Sequence, residues 1–105
     1  MNVSVSTHQH DRAVRVDVGG DIDLATRHEL DSGLTAAIAT TGIEVVEVDL
    51  SGVQFIDSSG IAVLLRQRRR AEAAGVGFRV VAASDLTQRI LSVGGVWQLL
   101  SGEQE

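Results

Sequence analysis

The 105 residues contain no cysteine, no proline and no lysine. Without cysteine there is no disulfide framework, no thiol nucleophile and no thiolate metal site. All nine basic residues are arginines, which excludes a catalytic lysine, and no GxxxxGK[ST] phosphate loop occurs. The absence of proline fits a compact chain without rigid connectors, and there is no internal repeat, linker or low-complexity stretch. No apolar run approaches the roughly 20 residues of a membrane span, and the N-terminus lacks a signal-peptide pattern, so a cytoplasmic location is expected. The net charge of −5 argues against nucleic acid, whose binding needs a clustered basic surface. The one basic cluster, Arg66, Arg68, Arg69 and Arg70, spreads around a helix as a solvated face would.

The chain does hold enough apolar residues, 44%, for one folded core, and its length fits a single domain over residues 1–105. Residues 3–7 and 14–18 alternate at period two, with polar His8 to Arg12 as a hairpin between them and Gly19-Gly20 ending the second strand. Leu30, Leu34, Ala37 and Ile38 recur at helical spacing, with Gly42 as the expected C-cap. A β-branched strand over residues 43–50, a loop over 51–57 and a helix to about Ala74 follow. Residues 78–82 then form a strand, giving a βαβ unit with parallel pairing and a right-handed crossover. Leu86, Ile90, Leu91 and Val93 mark a third helix, and residues 96–100 read as a short last strand before a frayed polar tail, 101–105. The expected architecture is α/β: a mixed sheet of four to five strands with about three helices mainly on one face. The other face should be partly open or covered by the N-terminal hairpin.

The most informative stretch is Asp57-Ser58-Ser59-Gly60, where a strand, a loop and a helix meet. A helix N-terminus carries unpaired N–H groups and about half a positive charge, so it can seat a phosphate. Two readings stand side by side. One is ordinary N-capping, for which Ser and Asp are favoured. The other is a phosphorylated serine, favoured by three cap candidates in a row, by the missing Glu or Gln of a capping box, and by Gly60 just inside the helix. Such a glycine suggests that something approaches the backbone closely.

Other constellations carry less. His8-Gln9-His10-Asp11 alternates ligand types, but two imidazoles on a hairpin make a poor cage, and no metal site is expected. His28 lacks a second His four residues on, Trp97 reads as core, and without a G-x-S-x-G elbow a Ser58–His28 hydrolase is disfavoured. No catalytic residues and no cofactor are expected.

The run Val48-Asp49-Leu50-Ser51-Gly52-Val53-Gln54-Phe55-Ile56-Asp57-Ser58-Ser59-Gly60-Ile61-Ala62-Val63-Leu64 resembles the phosphorylation-site signature of the STAS family, most nearly that of bacterial anti-sigma factor antagonists. Gly20-Asp21-Ile22-Asp23-Leu24-Ala25-Thr26 is similar to that family's Gly-Glu-Leu-Asp-x-x-Thr segment. The resemblance implies a STAS-like fold and a nonenzymatic partner-switching module. Unphosphorylated, it would bind an anti-sigma factor serine/threonine kinase and so release a sigma factor; phosphorylated, it would let go until a serine phosphatase resets it. Ser58 matches the phosphoacceptor position, with Ser59 the second choice. Asp23, Asp57, Ser59, Gly60, Asp21 and Thr26 fall on the implied partner-binding surface. The chain departs from many relatives at Ser84-Asp85, where they carry Ser-Pro, and at Asp21, where Glu is commoner. The alternative is a nonenzymatic STAS subunit of a larger stress-signalling or transport assembly.

Overall fold

The computed structural model describes residues 2–102. Four strands, β1 (Val3–His10), β2 (Ala13–Ile22), β3 (Val45–Ile56) and β4 (Gly77–Ala83), form one sheet in the order β1-β2-β3-β4. β1 is antiparallel to β2, while β2, β3 and β4 run parallel, so the sheet is mixed as its sequence pattern predicts. Helices α1 (Arg27–Ile38), α2 (Ser58–Ala73) and α3 (Asp85–Ser92) follow β2, β3 and β4 in turn. Each parallel strand therefore delivers its chain to a helix N-terminus at the same end of the sheet.

Alternation decides the faces. Val14, Val16 and Val18 of β2 and Val46, Val48 and Leu50 of β3 are buried under Leu30, Leu34, Val63, Leu64 and Leu91 from the helices. The intervening residues face the other way and pair with one another, Arg15 with Asp49 at 2.9 Å and Arg79 with Glu47 at 2.9 Å. That face is open: β1 lies beside β2 as an edge strand and does not cover it.

Six local expectations need correction. The strand expected over residues 43–50 runs on through most of the expected loop, 51–57, as one twelve-residue strand, Val45–Ile56, since an extra β3 residue between Asp49 and Gly52 and another between Val53 and Phe55 shift its register against β2 while the pairing persists, Gly52 opposite Gly19. The second strand does not stop at Gly19-Gly20. It continues to Ile22, with Gly20 at φ 88° absorbing an irregularity. The first hairpin is tighter than expected, because pairing runs to His10–Ala13 around Asp11-Arg12. α1 ends at Ile38 with Ala39 as its cap, so Gly42 belongs to the following turn. Residues 96–100 are not a strand but lie in a short helix, α4 (Val96–Ser101). Gly94 and Gly95, at φ 74° and 81°, turn the chain out of α3, and Trp97 and Leu100 at helical spacing are both buried. In the expected frayed tail, Ser101 closes α4, and residues 103–105 lie outside the described residues.

Candidate functional site

The site forms where β2 and β3 end. Asp57 is extended (φ −105°, ψ −175°) and caps α2, its Oδ1 accepting from the amides of Ser59 at 2.9 Å and Gly60 at 3.2 Å. The Ser59 hydroxyl donates to the same oxygen at 2.6 Å. Ordinary capping is thus real, and it is performed by Asp57 and not by either serine. Ser58 is exposed, and among the described residues its hydroxyl makes no hydrogen bond, whereas Ser59 is half-buried and committed. Two adjacent hydroxyls that the sequence leaves equivalent are separated by their surroundings.

The Asp57 carboxyl is held below its ordinary value of 3.8. The Ser59 hydroxyl is the largest cause and is partly opposed by desolvation; the Gly60 and Ser59 amides and the Arg27 charge add to the lowering. Two of the N–H groups that could seat a phosphate are therefore already occupied by a carboxylate.

The neighbouring loop is fastened to this cap by the Asp57 amide, which donates to the Ile22 carbonyl at 3.1 Å. Asp23 organises that loop: its Oδ1 accepts from the amides of Ala25 (2.9 Å) and Thr26 (3.0 Å) and from the Thr26 hydroxyl (3.2 Å). Thr26 is 5% exposed, and its Oγ1 also donates to the Asp21 carbonyl at 2.8 Å. Thr26 is therefore a buried fastener and offers no surface to a partner. Asp21 and Asp23 are half-buried, and Asp21 sits opposite Phe55 in the sheet.

Gly60 also needs correction. It is buried, and a Cβ there would lie 2.6 Å from Ile22 Cγ2 and 2.8 Å from Ile56 Cγ1. What approaches its backbone closely is this chain's own core, which lets α2 dock against the ends of β2 and β3.

The sequence pattern alone missed three groups. Leu24, 68% exposed, and Phe55, 43% exposed, present apolar surface at this end of the sheet. Phe55 went unnoticed because its segment looks like a loop, and Leu24 because it stands alone among polar residues. Arg27 is the third; a cation at the first position of a helix, against the dipole, was the available signal. Of the remaining candidates, His8 pairs with Asp17 at 3.2 Å and Trp97 is 6% exposed in the core, while His28 follows Arg27 in the first turn of α1, exposed, and faces Glu29 at 4.0 Å.

A family model described as "Mlab, STAS domain" matches residues 5–101. The anti-sigma-F factor antagonist RsfA of Mycobacterium tuberculosis is 32% identical over 99 residues, covering 93% of this chain and 77% of that protein. Among solved structures, an anti-sigma factor antagonist from Mycobacterium paratuberculosis superposes with a TM-score of 0.83 at 27% identity, covering 94% of this chain and 83% of that one. The anti-sigma factor antagonist SpoIIAA in its unphosphorylated form gives 0.74 at 17% identity, over 90% and 83% of the two chains, a likeness of fold.

Proposed function

This chain belongs to the STAS domain family, and we propose that within it the protein is an anti-sigma factor antagonist switched by phosphorylation of Ser58. Unphosphorylated, it binds an anti-sigma factor serine/threonine kinase in the cytoplasm and frees a sigma factor. Phosphorylated, it dissociates, and a serine phosphatase restores it. The observation that carries this reading is the unequal pair of serines: Ser58 projects its hydroxyl unengaged from the first turn of α2, while Ser59 is spent on Asp57.

In the transfer, Ser58 Oγ attacks the γ-phosphorus of ATP, the new O–P bond forms as the bond to the β-phosphate oxygen breaks, ADP leaves, and the hydroxyl proton passes to a base of the kinase. No nucleotide motif occurs in this sequence, so it serves as substrate and not as catalyst. Exposed Leu24 and Phe55 supply apolar contact beside Ser58, and the Asp23 and Asp57 carboxylates give the surface its sign. A phosphate adds about −1.5 to −2 charge. Pressed against a docked partner beside Asp57, that charge costs several kcal/mol; about 3 kcal/mol lowers affinity roughly a hundredfold. Release then comes from local repulsion and leaves the fold unchanged.

The test is incubation with a candidate anti-sigma kinase and ATP, followed by mass spectrometry and binding measurements. One phosphate on Ser58, absent in Ser58→Ala, and loss of binding in Ser58→Asp support the switch. A phosphate on Ser59, or Ser58→Asp binding as tightly as the unmodified protein, overturns it.

A further inference from the structure

We propose that Arg27 is the intramolecular counter-ion of the phosphoryl group on Ser58, holding the modified side chain against the start of α1. The proposal rests on Ser58 being the acceptor and adds how its modified form is held. Three helices begin at this end of the sheet, and their first turns contain one guanidinium, that of Arg27. The other permanent charges on these segments are carboxylates: Asp21 and Asp23 from β2 and its loop, Glu29 in α1, Asp57 capping α2, and Asp85 opening α3.

Arg27 occupies the first position of α1, where the helix dipole opposes a cation, and no basic residue occupies the last turn, where the dipole would favour one. Arg12, Arg15, Arg66, Arg68 and Arg79 each have a carboxylate within 4.0 Å and Arg70 bonds Thr35, whereas among the described residues the guanidinium of exposed Arg27, like those of Arg69 and Arg89 on other helix positions, has neither a hydrogen bond nor an ion pair; Arg27 alone of these three opens a helix. In the unmodified protein this cation acts on Asp57 only through its field, without a contact, and an anion arriving on Ser58 would give it a direct partner.

The geometry brings the two together. The Arg27 amide donates to the Asp23 carbonyl at 2.8 Å, and one residue before Asp23 the Ile22 carbonyl accepts from the Asp57 amide at 3.1 Å, so the start of α1 is tied to the cap of α2. Arg27 is also the one charged side chain whose field contributes to the lowered Asp57 carboxyl, which places its charge within electrostatic reach of the residue adjoining Ser58. The α2 amides are poorly free to take the phosphate, since Asp57 Oδ1 holds those of Ser59 and Gly60. A single guanidinium offsets only about half of a charge of −1.5 to −2, so the excess that repels a partner persists.

The experiment uses full-length protein with phosphoserine genetically encoded at position 58, so that it depends on no kinase. Phosphorus NMR titration reads the second ionisation of the phosphoserine, ordinarily near pH 6. Arg27→Gln should raise that pKa by about 0.3 to 0.5 pH unit at low salt, Arg27→Lys should raise it less, and the difference should shrink in ~1 M NaCl. Urea unfolding supplies a second readout: phosphoserine should raise the midpoint relative to serine more in the parent chain than in Arg27→Gln. A pKa shift below about 0.1 unit together with an unchanged midpoint difference overturns the proposal. So does an unaltered titration accompanied by weaker kinase binding of unphosphorylated Arg27→Gln, which would make Arg27 a partner contact. Failure of the kinase to modify Ser58 would instead overturn the acceptor reading and leave this measurement standing.

Discussion

Replacing Gly60 by alanine sets two physical effects against each other. In a helix interior alanine is favoured over glycine by about 1 kcal/mol, so an unconstrained site would gain stability. Here the new methyl would stand 2.6 Å from Ile22 Cγ2, 2.8 Å from Ile56 Cγ1 and 3.2 Å from Ile56 Cδ1, closer than real side chains sit. Both isoleucines are at most 2% exposed and have nowhere to retreat. Overpacking of this kind costs about 1 to 3 kcal/mol, and the difference leaves Gly60→Ala destabilised by roughly 1 kcal/mol. Urea unfolding should show the midpoint falling by about 0.5 to 1 M with little change in slope. A thermal midpoint should fall by about 4 to 8 °C for each kcal/mol in a domain near this size. Ile22→Ala removes the nearest carbon, so the double variant should be more stable than the sum of the single effects predicts. If Gly60→Ala instead raised the midpoint while weakening partner binding, Gly60 would be serving an incoming partner and the packing argument would be wrong.

The cap and the acid limb supply two more predictions. Ser59→Ala removes the hydroxyl that does most to hold the Asp57 carboxyl down, so carboxyl NMR should show Asp57 rising toward 3.8, and an equal rise in Ser58→Ala would contradict the assignment of Ser59 as the committed serine. Asp31 is also held below 3.8, chiefly by its hydrogen bond from Arg66 at 2.7 Å, against desolvation and with help from Gln67. Because the folded value is the depressed one, the unfolded chain binds protons first on acidification. This contribution is complete above 3.8 and is lost as pH falls through the folded value. The urea midpoint followed from about pH 6 to about pH 2 should drop at its acid end, less steeply in Arg66→Gln, and equal slopes in both proteins would rule the pair out as a cause.

Much of this fold is readable from periodicity where one rule governs a segment. Val14, Val16 and Val18 alternate without interruption and are all buried; Leu30, Leu34 and Ala37 keep a helical stripe and are buried too. The readings fail where two rules compete. Ser51 and Gly52 have turn chemistry, yet pairing of Gly52 with Gly19 keeps them in β3, and the two register shifts against β2, between Asp49 and Gly52 and between Val53 and Phe55, break after Leu50 the alternation that would have shown Val53 and Ile56 pointing inward. The apolar run from Val96 is too short for its period to separate strand from helix, and the paired positive-φ glycines before it decide the matter by redirecting the chain. At the site, the sequence places two serines beside an aspartate but cannot distinguish them, because the distinction lies in which donor reaches Asp57 Oδ1.

That shared oxygen also explains why a charge switch at this position needs no change of fold. Asp57 Oδ1 collects three donors from the first turn of α2, so its carboxylate stays ionised well below neutral pH and takes up the attraction of the helix terminus. A phosphate arriving on Ser58 cannot be relieved by protonating its neighbour. Nor can it take the Ser59 and Gly60 amides without dislodging the cap that starts α2. The modified side chain is confined to the outer surface, where water and a nearby guanidinium can bear its charge and a docked partner would strip the water away. Phosphorylation should therefore leave amide spectra unaltered beyond residues 57–62 and the start of α1 while partner affinity collapses; shifts spreading through β3 or the core would mean that the cap had been dislodged and the helix moved.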